Sequence, residues 1–196
     1  IRTIVCKQGT YTFSTTIDWS AYSNVTLKIQ PGANFAIATG VTITGGMKVE
    51  AGLFKWLSLT GTGIWTFATG SVIEVYPQWW GALGGATDDT TAFNTALATG
   101  QKVVVPYRSD NYTLASMITI PNDGRMDIER LTTINFTGTG SGIYLNSGAT
   151  IFGPQAFLNC STASDTFVLL DAAHGATGVG GFHITLNQLT GAGKTS

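Results

Sequence analysis

Short segments with an apolar residue at every second position make up most of the chain. Residues 25–29 and 41–44 show this alternation most clearly, and its period is that of a β-strand with one buried face. Turn-forming residues separate the segments every seven to twelve residues, which is too often for alternating strands and helices. Further strands are predicted at residues 35–37, 47–50, 53–59, 64–67, 72–75, 103–105, 112–114, 117–120, 126–129, 132–136, 142–145, 150–152, 167–170 and 182–186.

One segment departs from this two-residue alternation and predicts a short α-helix over residues 88–98. Thr87, Asp88 and Asp89 carry oxygens that can accept hydrogen bonds from the free N–H groups of a first helical turn, and the carboxylates suit the positive end of the helix dipole. Gly100 follows where a left-handed residue would end the helix. The apolar residues between these ends have the spacing of one helical face: Ala92, Phe93, Ala96 and Leu97.

The apolar centres that follow the helix predict a stack of coils. Their intervals suit coils of about 20–25 residues with two or three strands each, and such coils need only inward apolar positions and tight corners. Because an uncovered stack end would expose unpaired backbone groups, the helix is predicted to cover it. The sequence thus predicts an all-β solenoid with N-terminal coils in residues 1–75, a junction with the helix in 76–101, and the start of the main β-helix in 102–196. Coaxial stacking of the first coils on the later ones and a separate small β domain both remain open.

The segment around the helix resembles a known family. Trp79-Trp80-Gly81-Ala82, Thr87-Asp88-Asp89-Thr90, the helix and the strand that ends at Pro106 resemble the opening of the pectate-lyase-like β-helix family found in phage tailspikes and polysaccharide-degrading enzymes. Gly84-Gly85-Ala86 stands where that family has a Gly-Asp-Gly turn.

The resemblance carries expectations about fold, partners and location. It implies a right-handed parallel β-helix and the N-terminal part of a tailspike or tail fibre made in the bacterial host cytoplasm. The whole protein would be a homotrimer in the virion tail, in contact with other tail proteins. It would bind bacterial surface polysaccharide and often cleave it by hydrolysis or elimination. A secreted bacterial enzyme is the alternative.

Composition narrows the class of protein. Charged residues make up 11% of the chain, against about 25% in soluble domains, and 25 of the 196 residues are glycine. Few charges and many β-branched residues favour strands covered by stacking neighbours, as in a solenoid or an obligate oligomer. The net charge of −1 predicts no nucleic-acid binding. No apolar run reaches the ~18–20 residues of a membrane span, so no membrane insertion is expected.

The two ends of the chain suggest a fragment. It begins at Ile1 without a signal-peptide pattern and stops at Ser196 within a predicted strand–turn unit. We therefore expect catalytic residues, if the whole protein has any, to follow Ser196.

Tryptophans are candidates for sugar binding. The apolar face of a sugar ring stacks well on an exposed aromatic ring, and Trp56 and Trp65 are the candidates for such platforms. The alternative, which the sequence favours, is that large rings seal a junction between coils or a subunit contact, where each buries ~150–250 Å².

Asp127 and Glu129 are candidates for a catalytic pair. At positions i and i+2 of one strand, their side-chain bases would lie roughly 7 Å apart on one face, which an inverting glycosidase permits. The alternative is a solvated charged face in which they pair with Arg125 and Arg130, and such pairs contribute little stability.

The remaining reactive residues predict no further chemistry. Cys6 and Cys160 are distant in sequence and are expected to be two buried thiols. His174 and His183 have no acid or cysteine at metal-ligand spacing, so no metal site and no cofactor is predicted. An acid–base pair of Asp171 and His174 at a turn is the alternative. Three classes of function thus remain: a virion adhesion module, a monomeric polysaccharide lyase or hydrolase, and a purely structural β-helical stem.

Overall fold

The computed structural model describes residues 2–138, 142–160, 168–170 and 186–190, with side chains described up to residue 159. The chain forms two compact units, Ile1–Gly81 (unit 1) and Ala82–Ser196 (unit 2). All the strand pairs in the described residues are parallel and join successive turns of a β-solenoid. The predicted all-β solenoid with one short helix is therefore confirmed.

Unit 1 is a stack of three-strand turns. Its strands form three sheets, each ordered by turn: β1-β4-β7, β2-β5-β8 and β3-β6-β9. Phe35 pairs with Leu57, 22 positions later, and Ile17 pairs with Ile43, 26 positions later, so one turn of unit 1 takes 22 to 26 residues. The strands are β1 (Arg2–Cys6), β2 (Gly9–Phe13), β3 (Ile17–Asp18), β4 (Val25–Ile29), β5 (Ala33–Ile37), β6 (Thr42–Gly45), β7 (Lys48–Glu50), β8 (Leu57–Leu59) and β9 (Ile64–Phe67).

Period-2 alternation places the core of unit 1 inside these turns. Phe35, Ile37 and Ile43 are at most 3% exposed, whereas Lys28 is exposed on the outer face. The corners are tight: a Cβ added at Gly46 would collide with the backbone oxygens of Ser20 and Trp19. This corner of the solenoid therefore requires a residue without a side chain.

The structure differs from the prediction at one end of unit 1. Residues 72–75 form no strand; the chain continues into a 3-10 turn, Pro77–Trp80. At the other end, β1, β2 and β3 are the outermost strands of their sheets. There Ile4 is 49% and Tyr11 is 37% exposed, and they line an apolar cavity of about 370 Å³.

Unit 2 repeats the three-strand turn. Tyr112 pairs with Ile134, 22 positions later, and Ile143 pairs with Val168, 25 positions later. The strands are β10 (Val103–Val105), β11 (Tyr112–Leu114), β12 (Ile118–Ile120), β13 (Arg125–Ile128), β14 (Thr133–Phe136), β15 (Ile143–Leu145), β16 (Thr150–Cys160), β17 (Val168–Leu170) and β18 (Leu186–Thr190).

Strand β16 is longer than the three residues predicted for it. Its first residues pair with β13 and its last with β14, so it turns a corner of the solenoid without ending. Pro154 lies at this corner, and Gln155 takes a positive φ of 57°. Of the strand predicted at residues 182–186, residues 182–185 lie outside the described residues, and Leu186 is the first residue of β18.

The α-helix α1 (Thr90–Ala98) packs on β12. Phe93 is fully buried, and its ring meets that of Tyr112 edge-on at 5.4 Å. The Asn94 side chain donates to the carbonyl oxygen of Met117 and accepts from the N–H of Thr119, both at 3.0 Å. It thereby gives the outer edge of β12 the pair of hydrogen bonds that another strand would give, which is the capping role predicted for the helix.

Candidate functional site

Trp56 and Trp65 lie in the core of unit 1. They are 0% and 3% exposed, and their rings meet edge-on at 5.4 Å. Trp56 also contacts Phe35 and Trp79, with ring centroids 5.6 and 5.5 Å away. Because no ring face is open to solvent, the prediction that these residues form sugar platforms is wrong. The alternative of rings that fill the interior between turns holds, and the energy of burying them stabilises unit 1.

Asp127 lies on the outer face of β13, between the buried Met126 and Ile128. Arg125 donates two hydrogen bonds to it, from Nε at 2.7 Å and Nη2 at 2.9 Å, and Lys102 Nζ is 3.7 Å away. The hydrogen bond and the charge of Asp127 raise the pKa of Arg125. This matches the charged strand face that was the alternative to a catalytic pair.

Glu129 follows β13 and is exposed. Its Oε2 accepts a hydrogen bond of 2.9 Å from the N–H of Tyr107, one turn earlier in the solenoid. Both members of the predicted Asp127–Glu129 pair thus have neighbours that a substrate would have to displace. The pair stays a prediction without structural support.

The predicted helix-cap residues act differently from one another. Asp89 is the residue before the helix, but its side chain makes no hydrogen bond to the first turn. Asp88 Oδ1 instead accepts from the N–H of Thr90 at 3.0 Å and from the N–H of Ala115 at 3.1 Å. Thr87 is exposed. At the other end, Gly100 takes the left-handed conformation that was predicted, with φ of 70°.

The carboxylate of Asp89 holds the loop before the helix. Asp89 is 1% exposed and accepts from the N–H groups of Leu83 at 2.8 Å, Gly84 at 3.1 Å and Thr113 at 3.4 Å. Burial raises the pKa of Asp89 above its ordinary value, although these N–H donors lower it in part. The role of Asp89 is therefore structural: it fastens residues 83–84 to β11.

The structure describes only some of the remaining candidate residues. Cys6 is buried, as predicted, and burial raises the pKa of its thiol. The Cys160 side chain, Asp171, His174 and His183 lie outside the described residues. Within those residues, no three metal-binding side chains come together, and no helix is long and apolar enough to cross a membrane.

A cleft of about 490 Å³ opens on unit 1 at the last turn of the sheet β1-β4-β7. Its size is in the range of small-molecule sites. The cleft is lined by positively charged, negatively charged and apolar side chains. The principal lining residues are Lys28, Glu50, Ile73, Glu74, Tyr76 and Trp79. Charged, polar and apolar side chains thus meet around one concavity in unit 1.

The solenoid register brings the charged groups of the cleft together. Lys28 and Glu50 are register partners on β4 and β7, so their backbones lie one strand spacing apart, about 4.8 Å. Glu74 follows one further turn along the chain, and its Oε1 accepts a hydrogen bond from the hydroxyl of Tyr76. Trp79 Nε1 donates to the carbonyl oxygen of Gly52 at 3.0 Å, which fixes the floor of the cleft. Such an arrangement can exchange several hydrogen bonds with a polar ligand.

Sequence reasoning missed this cleft because its charged residues are far apart along the chain. Lys28, Glu50 and Glu74 are separated by 22 and then 24 positions. Both separations fall within the 22 to 26 positions that one turn of unit 1 takes. Charged residues that recur at the coil period are thus the signal that could have found the site.

Comparisons of the chain with protein-family models, with curated proteins and with solved structures return no match.

Proposed function

We propose that this chain is part of a phage tailspike or tail fibre and attaches to bacterial surface polysaccharide through the cleft of unit 1. The resemblance of residues 79–106 to that family and the parallel solenoid support the first part. The observation that carries the second is the cleft itself, where Lys28, Glu50, Glu74 and Tyr76 surround a space of about 490 Å³.

The chemistry of the cleft suits a sugar. Sugar rings present many hydroxyl groups, which both donate and accept hydrogen bonds, together with apolar C–H faces. Glu50 and Glu74 supply acceptors, Lys28 supplies donors, and Ile73, which is 90% exposed, supplies apolar contact. Strands β4 and β7 hold the backbones of Lys28 and Glu50 in place, and a ligand that need not order them binds at a lower entropic cost.

The proposal includes a homotrimer that lies in the virion tail with other tail proteins. Leu53 and Ile64 of unit 1 are 52% and 47% exposed. Exposed apolar side chains on a chain with so few charges support contact with further subunits. Sizing by light scattering tests this, since a trimer has three times the 20.6 kDa mass of the chain and a monomer would contradict it.

Binding to purified capsule or O-antigen polysaccharide tests the attachment function. We expect saturable binding that falls at least fivefold in the double variant Glu50→Ala, Tyr76→Phe. Asp110→Ala is the matched control because Asp110 is an exposed acid in unit 2. If the double variant binds as the wild type does, the polysaccharide does not use this cleft.

A polysaccharide hydrolase is a second candidate, because two carboxylates share one cleft and the hydroxyl of Tyr76 donates to one of them. Paired carboxylates are what glycosidic hydrolysis requires. A reducing-end assay on the bound polysaccharide tests it. Release of reducing ends that Glu74→Gln abolishes would support hydrolysis, whereas binding without release leaves attachment as the function. Binding to no polysaccharide would favour a purely structural stem.

A further inference from the structure

We propose that the first turn of unit 1 is a docking surface for a polypeptide segment of another protein. The segment adds to β1 and β2 as a further parallel turn and places apolar side chains in the cavity that this turn leaves open. It carries acidic residues at the ends of the strand that pairs with β1. The proposal is independent of the polysaccharide cleft, which opens at the last turn of the sheet β1-β4-β7.

The cavity at this end of unit 1 has the lining of a protein core. It encloses about 370 Å³, and apolar and aromatic side chains form most of its wall. The lining residues that matter here are Ile4, Cys6, Tyr11, Phe13, Trp19 and Phe35. Phe35, in the second turn, is buried, but Ile4 and Tyr11, in the first turn, are exposed. A partner that covers the first turn would therefore bury further apolar area.

The backbone of the same turn offers hydrogen bonds along its outer edge. In β1 the N–H of Arg2 and the carbonyl oxygen of Cys6 bond to the second turn. Because backbone groups alternate in direction along a strand, those of Thr3 and Val5 face the opposite edge. The same alternation applies to β2. No strand of the described residues pairs with these two edges, so they can accept an added strand.

Other ends of the two units show what kind of cover such a turn takes. In the first turn of unit 2, the N–H of Asp89 donates to the carbonyl oxygen of Thr113 in β11 at 2.8 Å, and Asn94 of α1 bonds along the edge of β12. At the last turn of unit 1, the N–H of Trp56 donates to the carbonyl oxygen of Trp79 at 3.1 Å. Polypeptide groups bond to the edges of both turns, which favours a polypeptide over a small apolar ligand at the first turn of unit 1.

Charge at this turn favours an acidic partner over a second copy of the chain. Arg2 and Lys7 stand at the two ends of β1 and are exposed. Asp18 lies on β3, where its Oδ1 accepts a hydrogen bond of 2.8 Å from the N–H of Ser20. Two copies that paired antiparallel through β1 would bring the cations of one next to those of the other. Acidic residues at the ends of an added strand would instead lie beside opposite charges.

A peptide with the sequence of residues 24–38 is the probe, because this segment pairs with β1 and β2 within the fold. The acidic probe carries Asn24→Glu and Gln30→Glu, at the two ends of its first strand, and the basic probe carries Asn24→Lys and Gln30→Lys. Fluorescence anisotropy with the whole chain should give the acidic probe a Kd about five- to tenfold below that of the basic probe. In 0.5 M salt the difference should fall to about twofold or less.

Backbone changes show whether the probe adds as a strand. In the fold, the N–H of Phe35 donates to the carbonyl oxygen of Trp56 in the next turn, so in the probe it would donate to β2. N-methylation of the probe at Phe35 should weaken binding about fivefold, because it removes this donor and keeps the side chain.

Two variants of the protein test the same edge from the other side. Val5→Pro removes an N–H that faces away from the second turn and should weaken binding of the acidic probe about fivefold. Proline is tolerated at such an edge position, and far-UV circular dichroism establishes that the variant is folded. Val5→Ala is the matched control, since it keeps the N–H, and should bind the probe within about twofold of the wild type. The double variant Arg2→Glu, Lys7→Glu should reverse the order of the acidic and basic probes.

Four results would overturn the proposal. If no probe binds with a Kd below about 1 mM, the first turn is not a docking surface. If the N-methylated probe binds as tightly as its parent, the cavity takes up apolar side chains without strand addition. If the basic probe binds as tightly as the acidic one at low salt, the partner is not acidic. If light scattering shows self-association that Val5→Pro dissociates, the occupant is a second copy. None of these results concerns polysaccharide binding, which uses the other end of the unit.

Discussion

Replacing Asp89 with alanine tests the buried contact that holds the first residues of unit 2 on β11. The substitution removes the acceptor for the N–H groups of Leu83, Gly84 and Thr113. A buried N–H left without an acceptor costs about 1–3 kcal/mol. Leu83 is exposed, so water can replace its partner, but Gly84 is buried and Thr113 is half-buried. We therefore expect the free energy of unfolding to fall by about 2–4 kcal/mol.

Denaturant unfolding followed by far-UV circular dichroism measures this loss. Hydrogen exchange on peptides that cover residues 82–90 and 111–116 shows whether the loss is local. The tryptophans provide an internal reference because they all lie in unit 1: Trp19, Trp56, Trp65, Trp79 and Trp80. Asp110→Ala is the control, since it removes the same charge from an exposed position of unit 2. If Asp89→Ala is no more destabilising than this control, the carboxylate does not hold the loop.

The pH dependence of Asp89→Asn provides an independent check. Burial raises the pKa of Asp89 in the folded protein. A carboxyl group with a raised folded pKa stabilises the fold fully below its unfolded pKa, about 3.9, and loses that contribution as the pH rises through the folded value. The stability of the wild type relative to Asp89→Asn should therefore be greatest below about pH 4 and decline toward neutral pH. An advantage that grows with pH would show that the pKa of Asp89 is not raised in the folded protein.

Three further predictions concern the core, a corner and the charged face. Trp56→Ala should lower the free energy of unfolding of unit 1 by about 3–5 kcal/mol because it leaves a cavity, and Trp56→Phe should lower it much less. Urea unfolding followed by tryptophan emission measures both losses. Gly46→Ala should destabilise unit 1 more than Gly40→Ala, because a Cβ at Gly46 collides with backbone oxygens, whereas a Cβ at Gly40 meets no atom within 4 Å and costs only the strain of the positive φ of 75°. Equal melting temperatures would contradict the tight corner. Asp127→Ala and Glu129→Ala should each change stability by less than about 1 kcal/mol and leave any polysaccharide cleavage intact, and loss of activity in a reducing-end assay would restore them as a catalytic pair.

The solenoid and its helix could be predicted from the sequence because both depend on local patterns. Alternation at residues 25–29 and the apolar face of residues 92–97 are visible within a few positions. The chemistry at the start of the helix could not be predicted in the same way. Asp89 is followed by helix, but its carboxylate turns back to Gly84, because the N–H groups of that loop and of Thr113 lie closer in the folded chain.

The candidate site could not be predicted from the sequence for a related reason. Lys28 and Glu50 become neighbours only when the pairing register of β4 and β7 is known, and that register depends on the length of every corner between them. The same limit applies to Trp56, whose burial depends on which face of its turn points inward. Composition alone does not distinguish a ring in the core from a ring on the surface.

The three-strand turn has a consequence for how such a chain can change in length. Each turn takes 22 to 26 residues in unit 1 and advances the stack by one strand spacing, about 4.8 Å. Duplicating or deleting a whole turn would therefore lengthen or shorten the unit in fixed steps while the cross-section and the neighbouring pairings stay unchanged. Adding part of a turn would rotate every later side chain onto a different sheet. Genetic variation in a protein of this design should accordingly be tolerated in multiples of one turn.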